Sequence, residues 1–370
     1  MSGLGSSRAA LIMIRLGAGI VGLALLFSLW ASPDRMASLA PFATAMLGVI
    51  LVLVVTGPWL PAIARKIRPS HLLWFFLAIG FVTLIVALFA SRWPTYKLSW
   101  LDAVYAALPS IRSLPLQWSR EGMQPNQTGG MLALCSAFAA TLATAPSLER
   151  RYRWPAVLLA TAGLAVVFMT GSRAALAGLV TAGLVVLVVR AGRSLWAWGM
   201  GLVALALGLL ASGLLTRIVH FFVHDETLDT KLVARLDIWS SVASGIQDHV
   251  FTGIGLGVFN QVMPVRYPYQ TVGLSYSVSQ AHNLVLDVAL AIGLPGTLGF
   301  LLLLIGSLIM AINGLKQGRL TRIASLGFLA SMVAYLIFGV TDSISLSVLA
   351  SFIIWLWVCA LAILLARVKE

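Results

Sequence analysis

Long apolar runs alternate with short polar segments along almost the whole chain. A bilayer core of about 30 Å requires about 20 apolar residues in one helix. About ten runs reach or approach that length, so the pattern predicts an all-α, polytopic transmembrane helical bundle of about ten spans. The predicted spans are centred near Ile20, Gly48, Ile79, Phe138, Gly163, Thr181, Leu205, Phe300, Ala330 and Ile354.

The composition supports a membrane protein. The 370 residues are 60% hydrophobic and 10% charged, and the mean hydropathy is +0.97. A soluble domain carries about 25% charged residues, so most of this surface must face lipid. We predict a single membrane domain over residues 1–370, in which the first apolar run, 9–30, is a retained span and not a cleaved signal.

The basic residues indicate orientation. The net charge is +13, and eleven of the 25 Lys and Arg residues lie in four short segments, at 65–68, 150–153, 190–193 and 316–322. Lys and Arg are enriched in short cytoplasmic loops. We therefore predict that both termini are cytoplasmic and that nucleic acid is not a partner.

Two long segments, 91–128 and 216–281, are predicted to lie on the outer side. The second is long enough to form a helical layer outside the membrane, with a short amphipathic helix at 232–247. Glycines at 253–257 predict a turn after that helix. The residues predicted to share one face of the helix are Val233, Leu236, Trp239, Ser240 and Ala243.

Three polar clusters border the predicted outer surface. In the first, Ser172 and Arg173 follow a tight turn at the start of a span. An arginine at membrane depth is costly unless it snorkels or pairs with an anion. Both alternatives remain open from the residues alone, although the small neighbours would let a phosphate approach the backbone.

The second cluster contains Arg235 and Trp239, which lie one helical turn apart on the same face. A guanidinium fork suits phosphate oxygens. The indole would either stack on a sugar or anchor the helix at the lipid headgroups, in which case Arg235 would pair with a lipid phosphate.

The third cluster contains Gln280, His282 and Asn283, directly before a long apolar span. An imidazole titrates near neutrality and suits a general base, whereas the structural alternative is an exposed or capping histidine. Asn283 is alternatively a helix cap. Asp287 lies about 140° around the helix from His282, so it is not expected to orient that ring.

These clusters, in this order, resemble the O-antigen ligase and polymerase superfamily of bacterial envelope glycosyltransferases, and most closely its ligases. The likeness extends from about Met169 to Thr297, and the first half of the chain supports it only through hydropathy. The matching motifs are G-S-R-A-A at 171–175, R-L-D-I-W at 235–239, G-I-G-L-G-V-F at 253–259, A-H-N at 281–283 and I-G-L-P-G at 292–296.

The resemblance implies metal-independent transfer of a glycan from undecaprenyl diphosphate at the periplasmic face of the bacterial inner membrane. By motif, Arg173 and Arg235 would bind the diphosphate and His282 would deprotonate an acceptor hydroxyl. Arg266 is predicted as a third phosphate contact, with Ser172, Trp239 and Asn283 in support. No cofactor and no metal site are predicted.

The leading functional hypothesis is a ligase of lipopolysaccharide biosynthesis that joins O-antigen to the lipid A–core oligosaccharide. The first alternative is a polymerase of O-antigen or another surface polysaccharide. An alternative of another class is a transporter of solutes or lipid-linked glycans. Transporters usually carry ionisable residues at mid-membrane, and Asp287 is the main candidate of that kind in this sequence.

Overall fold

The computed structural model describes residues 2–93, 101–108, 123–191, 228–270, 278–344, 346 and 351–366. Every regular element within these residues is an α-helix, apart from an isolated bridge between Ser91 and Met123. The all-α fold class is therefore confirmed. The helices are α1 Ser2–Ala31, α2 Arg35–Thr56, α3 Leu60–Lys66, α4 Pro69–Ala90, α5 Asp102–Ala107, α6 Pro125–Ala143, α7 Arg150–Met169, α8 Arg173–Ala191, α9 Leu228–Asp248, α10 Phe259–Arg266, α11 Leu284–Gly314, α12 Arg319–Thr341 and α13 Phe352–Ala366.

Seven helices are long and apolar enough to cross a membrane, namely α1, α2, α4, α7, α8, α11 and α12. The shorter α13 is also apolar, and α6 occupies the centre of the bundle. Each predicted span centre therefore falls on a helix, except Leu205, which lies outside the described residues. The chain is a multi-pass membrane protein.

Helix α6 is the buried helix of the bundle. It packs against α4, α7, α8 and α12, and every residue from 128 to 139 is buried. Because protein and not lipid surrounds it, α6 tolerates polar residues that a lipid-facing helix would not. Its first turn, which contains Asn126 and Gln127, is therefore enclosed by other helices at one end of the bundle.

Helix α11 is interrupted at Gly293, where the backbone has a φ of 74° and a ψ of 172°. The interruption frees two carbonyls, and those of Leu290 and Ala291 accept hydrogen bonds from the amides of Ile254 and Gly255 at 2.8 and 3.2 Å. In return, the amide of Leu294 donates to the carbonyl of Val250 at 2.8 Å. The glycine-rich loop after α9 is thus bonded directly to the break in α11.

We expect Gly293→Ala to lower the free energy of unfolding by about 2 kcal/mol or more. The positive φ disfavours any side chain, and a Cβ would lie 2.5 Å from the carbonyl oxygen of Phe251. Gly183→Ala is the matched control, because a Cβ on this helical glycine meets no atom within 4 Å. Thermal unfolding in a mild detergent would compare the variants, and equal midpoints would contradict the proposed strain.

Helix α9 covers the segment in which a short outer helix was predicted. Its buried residues include Ile238 and Val242, which pack with Val278 and Ala281. Of the residues predicted to share a face, only Trp239 is partly buried, and Val233, Leu236, Ser240 and Ala243 are exposed. The helical periodicity correctly predicted a helix. The residues that make its tertiary contacts lie on the face next to the predicted one.

Candidate functional site

His282 has an unusual backbone conformation. Its φ of 50° is the only positive value at a non-glycine residue in the described part of the chain. Such a conformation costs about 1–3 kcal/mol and persists only where its surroundings enforce it. The next residue, Asn283, caps α11, because its Oδ1 accepts from the amides of Val285 and Leu286 at 3.1 Å. The backbone bend and the cap together fix the imidazole at the start of α11.

The His282 ring lies against a buried carboxylate. Its Nδ1 is 3.4 Å from Oδ1 of Asp342, which directly follows α12. The side chain of His282 is 22% exposed, whereas that of Asp342 is 1% exposed. The pair therefore presents an accessible imidazole whose partner is shielded from solvent.

Three further groups hold the Asp342 carboxylate. Oδ1 accepts from Nε2 of Gln280 at 2.7 Å and from the amide of Ser343 at 2.9 Å. Oδ2 accepts from Nδ2 of Asn126 at 2.7 Å. A buried carboxylate is tolerated when its oxygens are saturated in this way.

The side-chain amide of Gln280 links the Asp342 carboxylate to neighbouring polar groups. Its Oε1 accepts from Nε2 of Gln127 at 2.9 Å and lies 3.1 Å from the hydroxyl of Ser343. That hydroxyl is closer to Asp287 Oδ2, at 2.6 Å, and its single proton can bond only one acceptor at a time. Asp287 Oδ1 accepts from the amide of Ala281 at 2.7 Å. Asp287 thus fixes the backbone before His282, and Asp342 is the acid beside the ring.

Nδ1 of His282 lies between a donor and an acceptor. The Gln280 Nε2 donor lies 3.5 Å from Nδ1, and the Asp342 acceptor lies 3.4 Å away. A proton on Nδ1 can be donated only to the carboxylate, because the Gln280 nitrogen is itself a donor. In that tautomer Nε2 carries a free lone pair, as a general base requires.

The second predicted cluster approaches the same segment through Trp239. Its indole Nε1 donates to the carbonyl of Ala281 at 2.9 Å, directly before His282. Arg235 lies one helical turn earlier on the same face of α9 and is partly buried. It makes no hydrogen bond or ion pair with the residues that the structure describes. Arg235 therefore lies one helical turn from the tryptophan that bonds the histidine segment, without a described protein anion as partner.

The first predicted cluster packs against α6 at Gly129. Gly171 has a φ of 61°, and Ser172 caps α8 through its Oγ, which lies 3.3 Å from the amide of Ala175. A Cβ on Gly129 would lie 2.7 Å from Thr170 Oγ1, so only glycine permits this approach. Gly129 lies three residues beyond Asn126, and the turn before Arg173 is therefore joined to the His282 cluster through α6.

An aromatic pair also holds this turn. The hydroxyl of Tyr105 donates to the carbonyl of Met169 at 2.7 Å, and the ring stacks on Trp93 with centroids 5.6 Å apart. Burial, followed by the charge of Asp102, raises the pKa of Tyr105 to about 12. The phenol therefore remains a hydrogen-bond donor to the turn at neutral pH.

Arg266 occupies a different place. It is exposed at the end of α10 and lines a cavity of about 230 Å³. Asp34, at the turn between α1 and α2, lines the same cavity. None of the contacts described for Arg266 links it to His282, whereas the segments that carry Arg173 and Arg235 contact the His282 cluster through Gly129 and Trp239.

The sequence placed Gln280 in the third polar cluster without giving it a role, and it did not identify Asp342, Asn126 or Gln127 as site residues. Asp342 had a weak signal, because an acid at the outer end of an apolar span usually has a functional or structural partner. Asn126 and Gln127 had only their polarity at the start of an apolar run. Their grouping depends on tertiary packing, since Asn126 and Asp342 are 216 positions apart.

Residues 156–301 match the family model described as O-antigen ligase (Wzy_C). This match confirms the resemblance to the O-antigen ligase superfamily. The family indicates a glycosyltransferase of the O-antigen ligase or polymerase type. No curated protein matches the chain. The O-antigen ligase segment contains Arg173, Arg235 and His282, whereas Asn126 and Asp342 lie outside it.

Proposed function

We propose that this protein transfers a glycan from undecaprenyl diphosphate to a hydroxyl of the lipid A–core oligosaccharide, as an O-antigen ligase. The observation that carries the proposal is the His282–Asp342 pair, whose partly exposed imidazole lies beside a buried carboxylate. Two helices that carry arginines are linked to the same cluster. The turn before α8 packs against Gly129 of α6, and Trp239 of α9 donates to the carbonyl of Ala281. This combination supplies a base and two cations for a diphosphate.

The base acts on the acceptor. Nε2 of His282 takes the proton of the acceptor hydroxyl as its oxygen attacks the anomeric carbon of the donor sugar. A sugar hydroxyl is a poor nucleophile until a base removes this proton. Asp342 holds Nδ1–H and stabilises the imidazolium that forms, which later releases its proton to water.

The arginines act on the leaving group. As the bond between the anomeric carbon and the phosphate oxygen breaks, its electron pair stays with undecaprenyl diphosphate. Fixed guanidinium donors at Arg173 and Arg235 stabilise that developing charge, which is most effective where water is excluded. Ser172 supports this role by capping α8, so that the helix N-terminus also favours an anion.

We place this site at the periplasmic face of the bacterial inner membrane, with both termini cytoplasmic. Helices α6, α8 and α11 begin at the cluster and α12 ends there. The basic loops at 150–153 and 316–322 lie at the other ends of α7, α11 and α12, as expected for cytoplasmic loops.

The family match favours a glycosyltransferase over the transporter hypothesis. Asp287 is buried, but it accepts hydrogen bonds from Ala281 and Ser343, which gives it a structural role. The polymerase remains the second candidate, because the family includes both activities. A lipopolysaccharide gel of a deletion strain separates them. Complete loss of O-antigen, with its repeat accumulating on the lipid carrier, supports the ligase, whereas one repeat still attached to core indicates a polymerase.

Transfer is expected to proceed without a divalent cation, because the guanidinium groups meet the charge of the diphosphate. Purified protein would be incubated with lipid-linked glycan and acceptor in EDTA, and the glycosylated acceptor would be measured. A His282→Gly variant serves as the blank. Activity that disappears in EDTA and returns with Mg²⁺ would contradict this mechanism.

A further inference from the structure

The first turn of α6 touches both halves of the candidate site. Asn126 donates to Asp342, and Gln127 donates to Gln280, which in turn donates to Asp342. Gly129, less than one turn further, packs against Thr170 in the turn that precedes Arg173. This turn lies outside the segment that matches the O-antigen ligase family.

The two oxygens of Asp342 have different neighbours. Oδ1 faces His282 and also accepts from Gln280 and from the amide of Ser343. Asn126 donates to Oδ2 at 2.7 Å. A carboxylate rotates about the bond to Cβ, so the donor on Oδ2 also affects where Oδ1 points. Asn126 is therefore the donor that holds Oδ2, while Gln280 and the Ser343 amide hold Oδ1, and together they orient the oxygen that faces the imidazole.

We propose that Asn126 is a positioning residue, which fixes the rotation of Asp342 and through it the tautomer and direction of the His282 ring. The inference rests on the proposed function, because His282 is taken as the base that activates the acceptor. Asn126 has no contact with the donor in this proposal. It acts on the proton transfer and leaves the diphosphate contacts of Arg173 unchanged.

The kinetic test uses Asn126→Leu, with Asn126→Ala in case the larger side chain prevents folding. We expect kcat to fall about 10- to 100-fold, the size typical of a misplaced catalytic group, while KM for the donor changes less than about twofold. Gln124→Leu is the matched control, because Gln124 precedes α6 and bonds Ser279 without touching Asp342. Equal losses in the two variants would overturn the proposal.

A double-mutant cycle shows whether Asn126 acts through Asp342. Asp342→Asn alone should lower kcat, and adding Asn126→Leu should lower it by less than about threefold more. If the two losses multiply, Asn126 acts independently of the carboxylate and the inference is wrong.

A second measurement does not depend on activity. Nitrogen-15 spectra of histidine-labelled full-length protein report the protonation of each ring nitrogen, and His282→Asn identifies the signal. We expect Nδ1–H in the wild type and a mixture of tautomers in Asn126→Leu. Unchanged tautomers would overturn the inference. If the wild-type protein transfers no glycan, the proposed function is wrong. The spectra would still show whether Asn126 controls the tautomer of His282.

Discussion

Replacement of His282 by glycine is expected to lower glycan transfer about 10²- to 10⁴-fold, the usual contribution of a general base. The variant lacks the imidazole that takes the proton of the acceptor hydroxyl. The guanidinium groups remain, so binding of the lipid-linked donor should be nearly intact. Initial rates with purified protein and donor-binding isotherms would be measured side by side.

The choice of glycine follows from the backbone. At a φ of 50°, alanine is strained, whereas glycine and asparagine adopt this conformation more readily. His282→Ala therefore removes the base and disturbs the backbone together. If His282→Gly and His282→Asn both stay inactive, the missing imidazole explains the loss. If either keeps activity within about threefold of wild type, the base assignment is wrong.

His249→Ala is the matched control for general effects of losing a histidine. His249 lies just after α9 and is partly buried, as His282 is, and it is absent from the described Asp342 contacts. Its replacement should leave transfer close to the wild-type rate. A loss as large as that of His282→Gly would indicate a disturbed outer layer instead of a missing base.

The spans were predictable because lipid imposes a simple requirement on length and polarity. An apolar run near Phe300 must be a helix, since every backbone group in the bilayer needs an internal partner. The break at Gly293 could not be derived from that rule. It depends on the loop at 253–257, whose amides replace the helical hydrogen bonds. Two motifs of the family resemblance, the glycine-rich loop at 253–259 and I-G-L-P-G at 292–296, thus meet at this break in α11.

The site was predictable only in part. His282, Arg173 and Arg235 stood out because each belongs to a short polar cluster at the predicted outer surface, and the resemblance gave them roles. Asp342 and Asn126 acquire meaning only when α6 and α12 meet. The hydrophobic periodicity and the charge pattern do not predict that contact between α6 and α12, because both helices are buried around most of their circumference.

Substitution of Arg173 or Arg235 by alanine is expected to lower kcat/KM for the donor about 10²- to 10³-fold in each case. Each change removes a fixed donor to the diphosphate, whose charge grows as the glycosidic bond breaks. Lysine should restore little activity, because a compact ammonium cannot reproduce two parallel hydrogen bonds. Steady-state kinetics with varied donor would measure both effects.

Arg35→Ala is the control for these variants. Arg35 is an exposed arginine at the turn between α1 and α2, and its guanidinium donates to the backbone carbonyl of Trp30. Its replacement should leave donor kinetics unchanged. Arg266→Ala tests the predicted third phosphate contact, and we expect a smaller loss because Arg266 is exposed and shares its cavity with Asp34. Full recovery by Arg173→Lys and Arg235→Lys would show that simple charge attraction suffices and that the proposed bidentate contact does not form.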